Sequence, residues 1–113
     1  MGRPKMYYEW EIPPSVVVTV QGICRDYERR ENAIKYSTIT GRVLDRYIEL
    51  NAAVDDALSE IAVEARESIL SDVADNVGYD FSACSCYFSR KIYYLKKRKL
   101  IHDIAVKLFL IPK

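Results

Sequence analysis

The sequence predicts an all-α protein of about four helices. Apolar residues recur every three or four positions along most of the chain, and the 113 residues include only four glycines and four prolines. Half of the residues are hydrophobic, which suffices for one core at this chain length. We therefore expect a single helical domain over residues 14–113, preceded by an arm over residues 1–13 that the Pro13-Pro14 pair keeps from being helical.

The first helix is expected to begin at Pro14 or Ser15, because the missing N–H of proline costs nothing in the first turn. Charged residues separate its apolar positions at helical spacing, with no turn signal before residue 36. We therefore expect one continuous helix with Arg30 among the solvent-facing charges. Its inner positions are Val17, Val20, Cys24, Tyr27 and Ile34.

A break at residues 37–41 offers Thr38 or Thr40 as the N-cap of a second helix. The outer face of this helix is acidic and carries Asp45, Glu49, Asp55, Asp56 and Glu60. Its predicted inner face consists of Val43, Leu44, Tyr47, Ile48, Ala52, Val54, Leu58 and Ile61.

Two further helices are expected in the C-terminal half. A short one covers about residues 64–76 and is followed by Gly78, where a left-handed residue is wanted. The last one begins after Ser82 as its N-cap, runs toward Leu110 and is stopped by Pro112.

Residues 70–89 match the residue pattern of a helix-turn-helix, which predicts such a motif within about residues 64–100. Ala74 is small where two helices would cross, and Gly78 stands where the turn needs a positive φ. The positions that should hold the two helices together are apolar, namely Val73, Val77, Tyr79, Cys84 and Tyr87.

Charge is distributed unevenly, although the net charge is only +1. Residues 37–80 contain three basic and ten acidic residues, whereas residues 81–113 contain eight basic residues and one acidic residue. A basic C-terminal third that includes a helix-turn-helix pattern predicts an anionic partner, and double-stranded DNA fits it best. The other interpretation is a solvated lysine-rich helix end.

The predicted DNA-binding residues combine small hydroxyls early in the last helix with the basic run that follows. Arg90 is the expected base reader, because a guanidinium can contact guanine with two hydrogen bonds. The predicted set is Ser82, Ser85, Ser89, Arg90, Lys91, Tyr94, Lys96, Lys97, Arg98 and Lys99.

The sequence offers little for catalysis or metal binding. One histidine (His102) and three cysteines (Cys24, Cys84 and Cys86) do not supply the spacing of a zinc site, and we expect reduced thiols. No phosphate-binding glycine loop or paired-carboxylate motif occurs, so we expect neither an enzyme nor a cofactor. No apolar run is long enough for a membrane span, and a cytoplasmic protein is expected.

The chain resembles the small phage late-transcription regulators of Gram-positive bacteria, the ArpU/RinA-like group. The resemblance lies in the arrangement of "DYERRENAIKYSTIT", "VLDRYIELNAAVDDALSEI", "DNVGYDFS" and "FSRKIYYLKKRKLIHDIAVKLFLI". That group resembles region 4 of bacterial sigma factors in its C-terminal half. The resemblance implies a sequence-specific regulator of phage or prophage genes that acts beside RNA polymerase in a bacterial host.

Several alternatives stay open at this point. A DNA-packaging accessory similar to a small terminase subunit would also use a helix-turn-helix but would assemble into a ring. A helical protein-interaction module would dock its basic tail on an acidic protein. The acidic second helix has two candidate roles, either binding a partner, such as a second copy or a polymerase subunit, or folding against the basic tail of its own chain.

Overall fold

The computed structural model describes residues 11–112, and the regular secondary structure in that range is entirely helical. This confirms the all-α prediction, with five α-helices instead of about four. The α-helices are α1 (Pro14–Arg25), α2 (Tyr27–Lys35), α3 (Gly41–Leu58), α4 (Val63–Asp75) and α5 (Arg90–Lys107). Two 3₁₀ turns, Tyr79–Phe81 and Ala83–Cys86, connect α4 to α5.

The first predicted helix is divided at Asp26, where φ is −94° and ψ is 6°. The bend turns Arg30 inward, and its side chain is 3% exposed. Its Nε donates to Asn51 Oδ1 at 2.7 Å, and its guanidinium also reaches the Ile23 carbonyl. The prediction that Arg30 faces solvent is therefore wrong. This buried arginine of α2 binds residues of α1 and α3, which fixes α2 between those two helices.

The core forms where α1 packs against α4 and α5 and where α3 packs against α2 and α5. The predicted arm falls mostly on residues 1–10, which lie outside the described residues. Ile12, near the end of that arm, belongs to the core at 6% exposure. The largest fully buried side chains are Tyr93, Ile69, Leu100, Ile104, Val20, Val54, Val73 and Cys84.

The predicted inner face of the second helix is only half correct. The buried residues of α3 all lie between Asn51 and Leu58. Val43 is 50% exposed and Ile48 is 47% exposed. The apolar periodicity of α3 therefore extends beyond the part of the helix that other elements cover. Ala52, also predicted as inner, is exposed.

The acidic α3 contacts the basic α5 of its own chain. Lys107 Nζ lies 3.1 Å from Asp56 Oδ2, and Lys99 Nζ lies 3.1 Å from Glu60 Oε1 just beyond α3. These two contacts show part of the acidic segment against the basic helix of the same chain, and partner binding by the remaining acids stays a prediction. Exposed pairs of this kind contribute at most about 1 kcal/mol each, so they orient the helices more than they stabilise them.

None of the helices within residues 11–112 combines the length and the apolar character required to cross a bilayer.

Candidate nucleic-acid interface

Residues 76–89, between α4 and α5, contain no α-helix. The prediction that the last helix begins after Ser82 is therefore wrong, and so is the placement of a helix-turn-helix over residues 70–89. A helix-turn-helix joins its helices by a turn of about three to four residues, whereas this connection is far longer. The serines expected early in a recognition helix lie in or beside the 3₁₀ turns instead.

The left-handed residue that ends α4 is Asn76, with φ 55° and ψ 44°, not Gly78. Gly78 has φ −84° and ψ 164°, an extended conformation open to any residue. Asparagine is the commonest left-handed residue after glycine, and here it comes two positions earlier than predicted. The chain reverses direction directly after α4, and the Val77 N–H donates a hydrogen bond to the Asp72 carbonyl at 2.9 Å.

Ser82 is buried, at 7% exposure, and its hydroxyl is already engaged. It accepts from Cys84 N–H at 2.9 Å and donates to the Asp72 carboxylate. The serine is thus an N-cap, as predicted, but of a 3₁₀ turn. Its assignment as a DNA-binding residue stays a prediction that this geometry does not favour, because the hydroxyl is buried and bound to a carboxylate.

Asp72 and Tyr93 complete this buried polar cluster. The Tyr93 hydroxyl lies 2.9 Å from both Asp72 Oδ2 and the Val77 carbonyl oxygen, and burial raises the pKa of the Tyr93 phenol. Asp72 was not among the predicted site residues, although its spacing from Ile69 places it on the buried face of α4. A carboxylate at an inner helical position was the available signal.

Lys97 belongs to the same cluster and is only 9% exposed. Its Nζ donates to the Val77 carbonyl at 2.6 Å and lies 5.2 Å from the Tyr93 ring centroid. Burial lowers the pKa of this amine. Its role as a phosphate contact stays a prediction that this geometry does not favour, because the ammonium already binds the Val77 carbonyl.

The α5 helix begins at Arg90, with the Ser89 hydroxyl accepting from Ile92 N–H at 3.4 Å. The Arg90 guanidinium lies 2.6 Å from Asp80 Oδ1 and 5.0 Å above the Tyr79 ring. The hydrogen bond from Arg90 to Asp80 raises the pKa of the guanidinium. Arg90 is nevertheless well exposed, with 57% of its side chain accessible, so an external anion can compete with Asp80.

The other predicted residues differ in how far solvent reaches each side chain. Lys99 is engaged, because its Nζ lies 2.7 Å from Asp103 Oδ2 in addition to its contact with Glu60. The Tyr94 hydroxyl accepts from Tyr79 N–H at 3.0 Å, which leaves its own proton available. Exposed or half-exposed positions are occupied by Ser85, Ser89, Lys91, Lys96 and Arg98.

Four of the predicted residues that keep some exposure line one groove between α1 and α5, with a volume of about 770 Å³. Three of them are cations, and no acidic side chain of the described residues lines this groove. Its lining consists of Val17, Gln21, Val73, Asn76, Arg90, Lys91, Tyr94, Lys97, Arg98 and Ile101. Half of the predicted site residues therefore line one groove, namely Arg90, Lys91, Tyr94, Lys97 and Arg98.

Comparisons with protein-family models, curated proteins and solved structures gave no significant match for this chain.

Proposed function

We propose that this protein binds double-stranded DNA through the N-terminal half of α5. The supporting observation is that Arg90, Lys91 and Arg98 line a single groove free of acidic side chains in the described residues. Cations clustered on one face neutralise phosphates, and the counterions they release favour binding. Further along α5, Lys99 and Lys107 meet acids at or just beyond α3, whereas at the N-terminal end of α5 Asp80 pairs with Arg90.

In this proposal the first turns of α5 take the role that the sequence assigned to a helix after Ser82. Ser85 and Ser89 are exposed just before α5 and can donate to phosphate oxygens. Arg90 exchanges Asp80 for a phosphate or a guanine edge, while Lys91, Lys96 and Arg98 contact the backbone. The reading element is then a helix held by a long connection, not by a tight turn.

The role as a sequence-specific regulator of phage or prophage genes acting beside RNA polymerase rests on the resemblance given above. Arg90→Ala should then relax base preference at one position of sites selected from a random DNA pool. A packaging accessory is separated from a regulator by the mass of the protein in solution. A monomer or dimer fits the regulator, and a ring of many copies fits the packaging role.

The proposal is tested by the anisotropy of a labelled duplex at low salt. A double variant, Arg90→Gln with Lys91→Gln, removes two cations of the groove. Its matched control, Lys35→Gln with Arg42→Gln, removes two exposed cations of α2 and α3. We expect the groove variant to bind about tenfold more weakly and the control to bind like the parent protein. Equal weakening in both variants would assign binding to net charge alone, and absence of binding by the parent protein would leave the interaction-module alternative.

A further inference from the structure

The groove between α1 and α5 has an apolar floor that phosphate binding does not require. Val17 from α1, Val73 from α4 and Ile101 from α5 form this floor, and the Tyr94 side chain also lines the groove. Its volume of about 770 Å³ falls within the range typical of small-molecule sites. Such sites commonly lie between helices, with an apolar lining and a few polar groups that orient the ligand.

The polar groups of this groove select an anion. Its charged members are Arg90, Lys91, Lys97 and Arg98, and its neutral polar members, Gln21 and Asn76, are amides that can donate hydrogen bonds. The Lys97 ammonium faces the Val77 carbonyl and the rings of Tyr93 and Tyr94, with the buried Asp72 carboxylate acting on it electrostatically. Asp80 is paired with Arg90.

A second cleft of the protein provides an internal comparison. It has a similar volume, about 860 Å³, but carries both signs of charge. Its lining contains two arginines, Arg25 and Arg66. It contains four acidic residues, namely Glu28, Glu31, Glu67 and Asp75. An anion is repelled there and attracted in the groove between α1 and α5, although both clefts admit a ligand of the same size.

We propose that the groove between α1 and α5 binds a small amphipathic organic anion, with its carboxylate or sulfonate among Arg90, Lys91 and Arg98. The apolar body of the ligand lies on Val17 and Ile101. Both halves are needed: the apolar contact supplies affinity, and the cations supply orientation and selectivity for charge. This site goes beyond the proposed DNA binding, because a small ligand is recognised by the floor of the groove as well as by its rim.

Gln21 offers a test that preserves shape. The substitution Gln21→Glu places a carboxylate in the groove without changing the side-chain volume, whereas Asn32→Asp makes the matched change in the second cleft. The probe is 8-anilinonaphthalene-1-sulfonate, followed by its fluorescence, and its uncharged counterpart is N-phenyl-1-naphthylamine. We expect saturable one-to-one binding of the sulfonate, weakened about fivefold by Gln21→Glu and unchanged by Asn32→Asp. The uncharged probe should not distinguish the variants.

Methyl chemical shifts of the parent protein locate the probe independently of any variant. We expect the sulfonate to perturb Val17, Val73 and Ile101 and to leave Leu58 and Leu70 of the second cleft unchanged. The proposal is overturned if binding does not saturate, if the two variants weaken it equally, or if the shifts cluster elsewhere. None of these outcomes depends on DNA, so this site and the proposed DNA interface can fail separately.

Discussion

Asp72 organises the connection between α4 and α5 through its carboxylate. The hydroxyls of Ser82 and Tyr93 both meet it in the interior, and Lys97 closes the cluster through the Val77 carbonyl. Buried polar groups are tolerated when each has a partner, and removing one partner costs more than the bond itself contributed. These residues therefore hold α5 in place.

Removal of the Tyr93 hydroxyl should destabilise the fold. Tyr93→Phe leaves the Asp72 carboxylate and the Val77 carbonyl each with one partner fewer, at a cost of roughly 1–3 kcal/mol in the free energy of unfolding. The matched control is Tyr87→Phe, because that side chain is 48% exposed. Urea denaturation of both variants measures the difference. Equal stabilities would mean that the buried cluster does not hold the connection.

The buried amine of Lys97 makes stability depend on pH. Burial lowers the pKa of this amine in the folded protein below its ordinary value of 10.5, so the folded state releases the proton first. The unfolded state then binds more protons between the two pKa values, and stability rises with pH across that window. Burial raises the pKa of Tyr93, which opposes this trend only near and above pH 10.0.

Urea denaturation of the parent protein and of Lys97→Met, at a series of pH values below 10.5, isolates this contribution. The parent protein should gain stability relative to the variant as the pH rises, because only the parent is relieved of a buried charge. A constant difference between the two proteins would show that Lys97 does not titrate in a buried environment.

Asp80 restrains the residue expected to contact DNA. Its carboxylate lies 2.6 Å from the Arg90 guanidinium and also repels nearby phosphates. Asp80→Asn should therefore strengthen DNA binding several-fold, since an exposed pair contributes up to about 1 kcal/mol. Glu49→Gln removes the partner of a comparable exposed pair, Arg46–Glu49, and should leave DNA affinity unchanged. If Asp80→Asn weakens binding, Asp80 positions Arg90 instead of competing for it.

At the scale of elements, helical periodicity predicted the helices more reliably than their ends. It predicted α3 and α4 closely and placed most of α5, because long apolar repeats specify a helix. It failed at Asp26 and at Ser82, where hydrogen bonds to residues distant in the sequence accompany the break in the helix. Ser82 has the features of an N-cap, but the Asp72 carboxylate that captures it lies ten residues upstream, and no local pattern contains that contact.

Separate alanine substitutions at Asn76 and Gly78 test which of the two residues holds the left-handed conformation at the end of α4. Residue 76 has a φ of 55°, a conformation that alanine disfavours more strongly than asparagine does. Asn76→Ala should therefore cost about 1–2 kcal/mol in the free energy of unfolding. Gly78→Ala should cost less, because Gly78 is extended and a Cβ there meets only the Tyr94 hydroxyl at 3.4 Å. Thermal melting of the two variants ranks them. The reverse order would restore Gly78 as the left-handed residue of the turn.

At the scale of the whole molecule, the sequence separated an acidic middle from a basic C-terminal third, and the fold brings the two together. Lys99 and Lys107 are held by acids at α3, and Lys97 is buried. A count of charges along the chain therefore overstates the cationic surface, because it cannot distinguish engaged cations from exposed ones. Of the ten predicted site residues, Ser82 and Lys97 are buried and Lys99 is paired with two acids. The other seven are exposed or half-exposed, namely Ser85, Ser89, Arg90, Lys91, Tyr94, Lys96 and Arg98.

The salt dependence of DNA affinity tests the proposed function most directly. The proposed interface contains four cations, Arg90, Lys91, Lys96 and Arg98, which would neutralise about four phosphates. The logarithm of the association constant should therefore fall with the logarithm of salt concentration with a slope of about −3 to −4. The Arg90→Gln, Lys91→Gln variant should reduce that slope by about two. An affinity that does not change with salt, or a slope that the variant leaves intact, would contradict DNA binding by this face of α5.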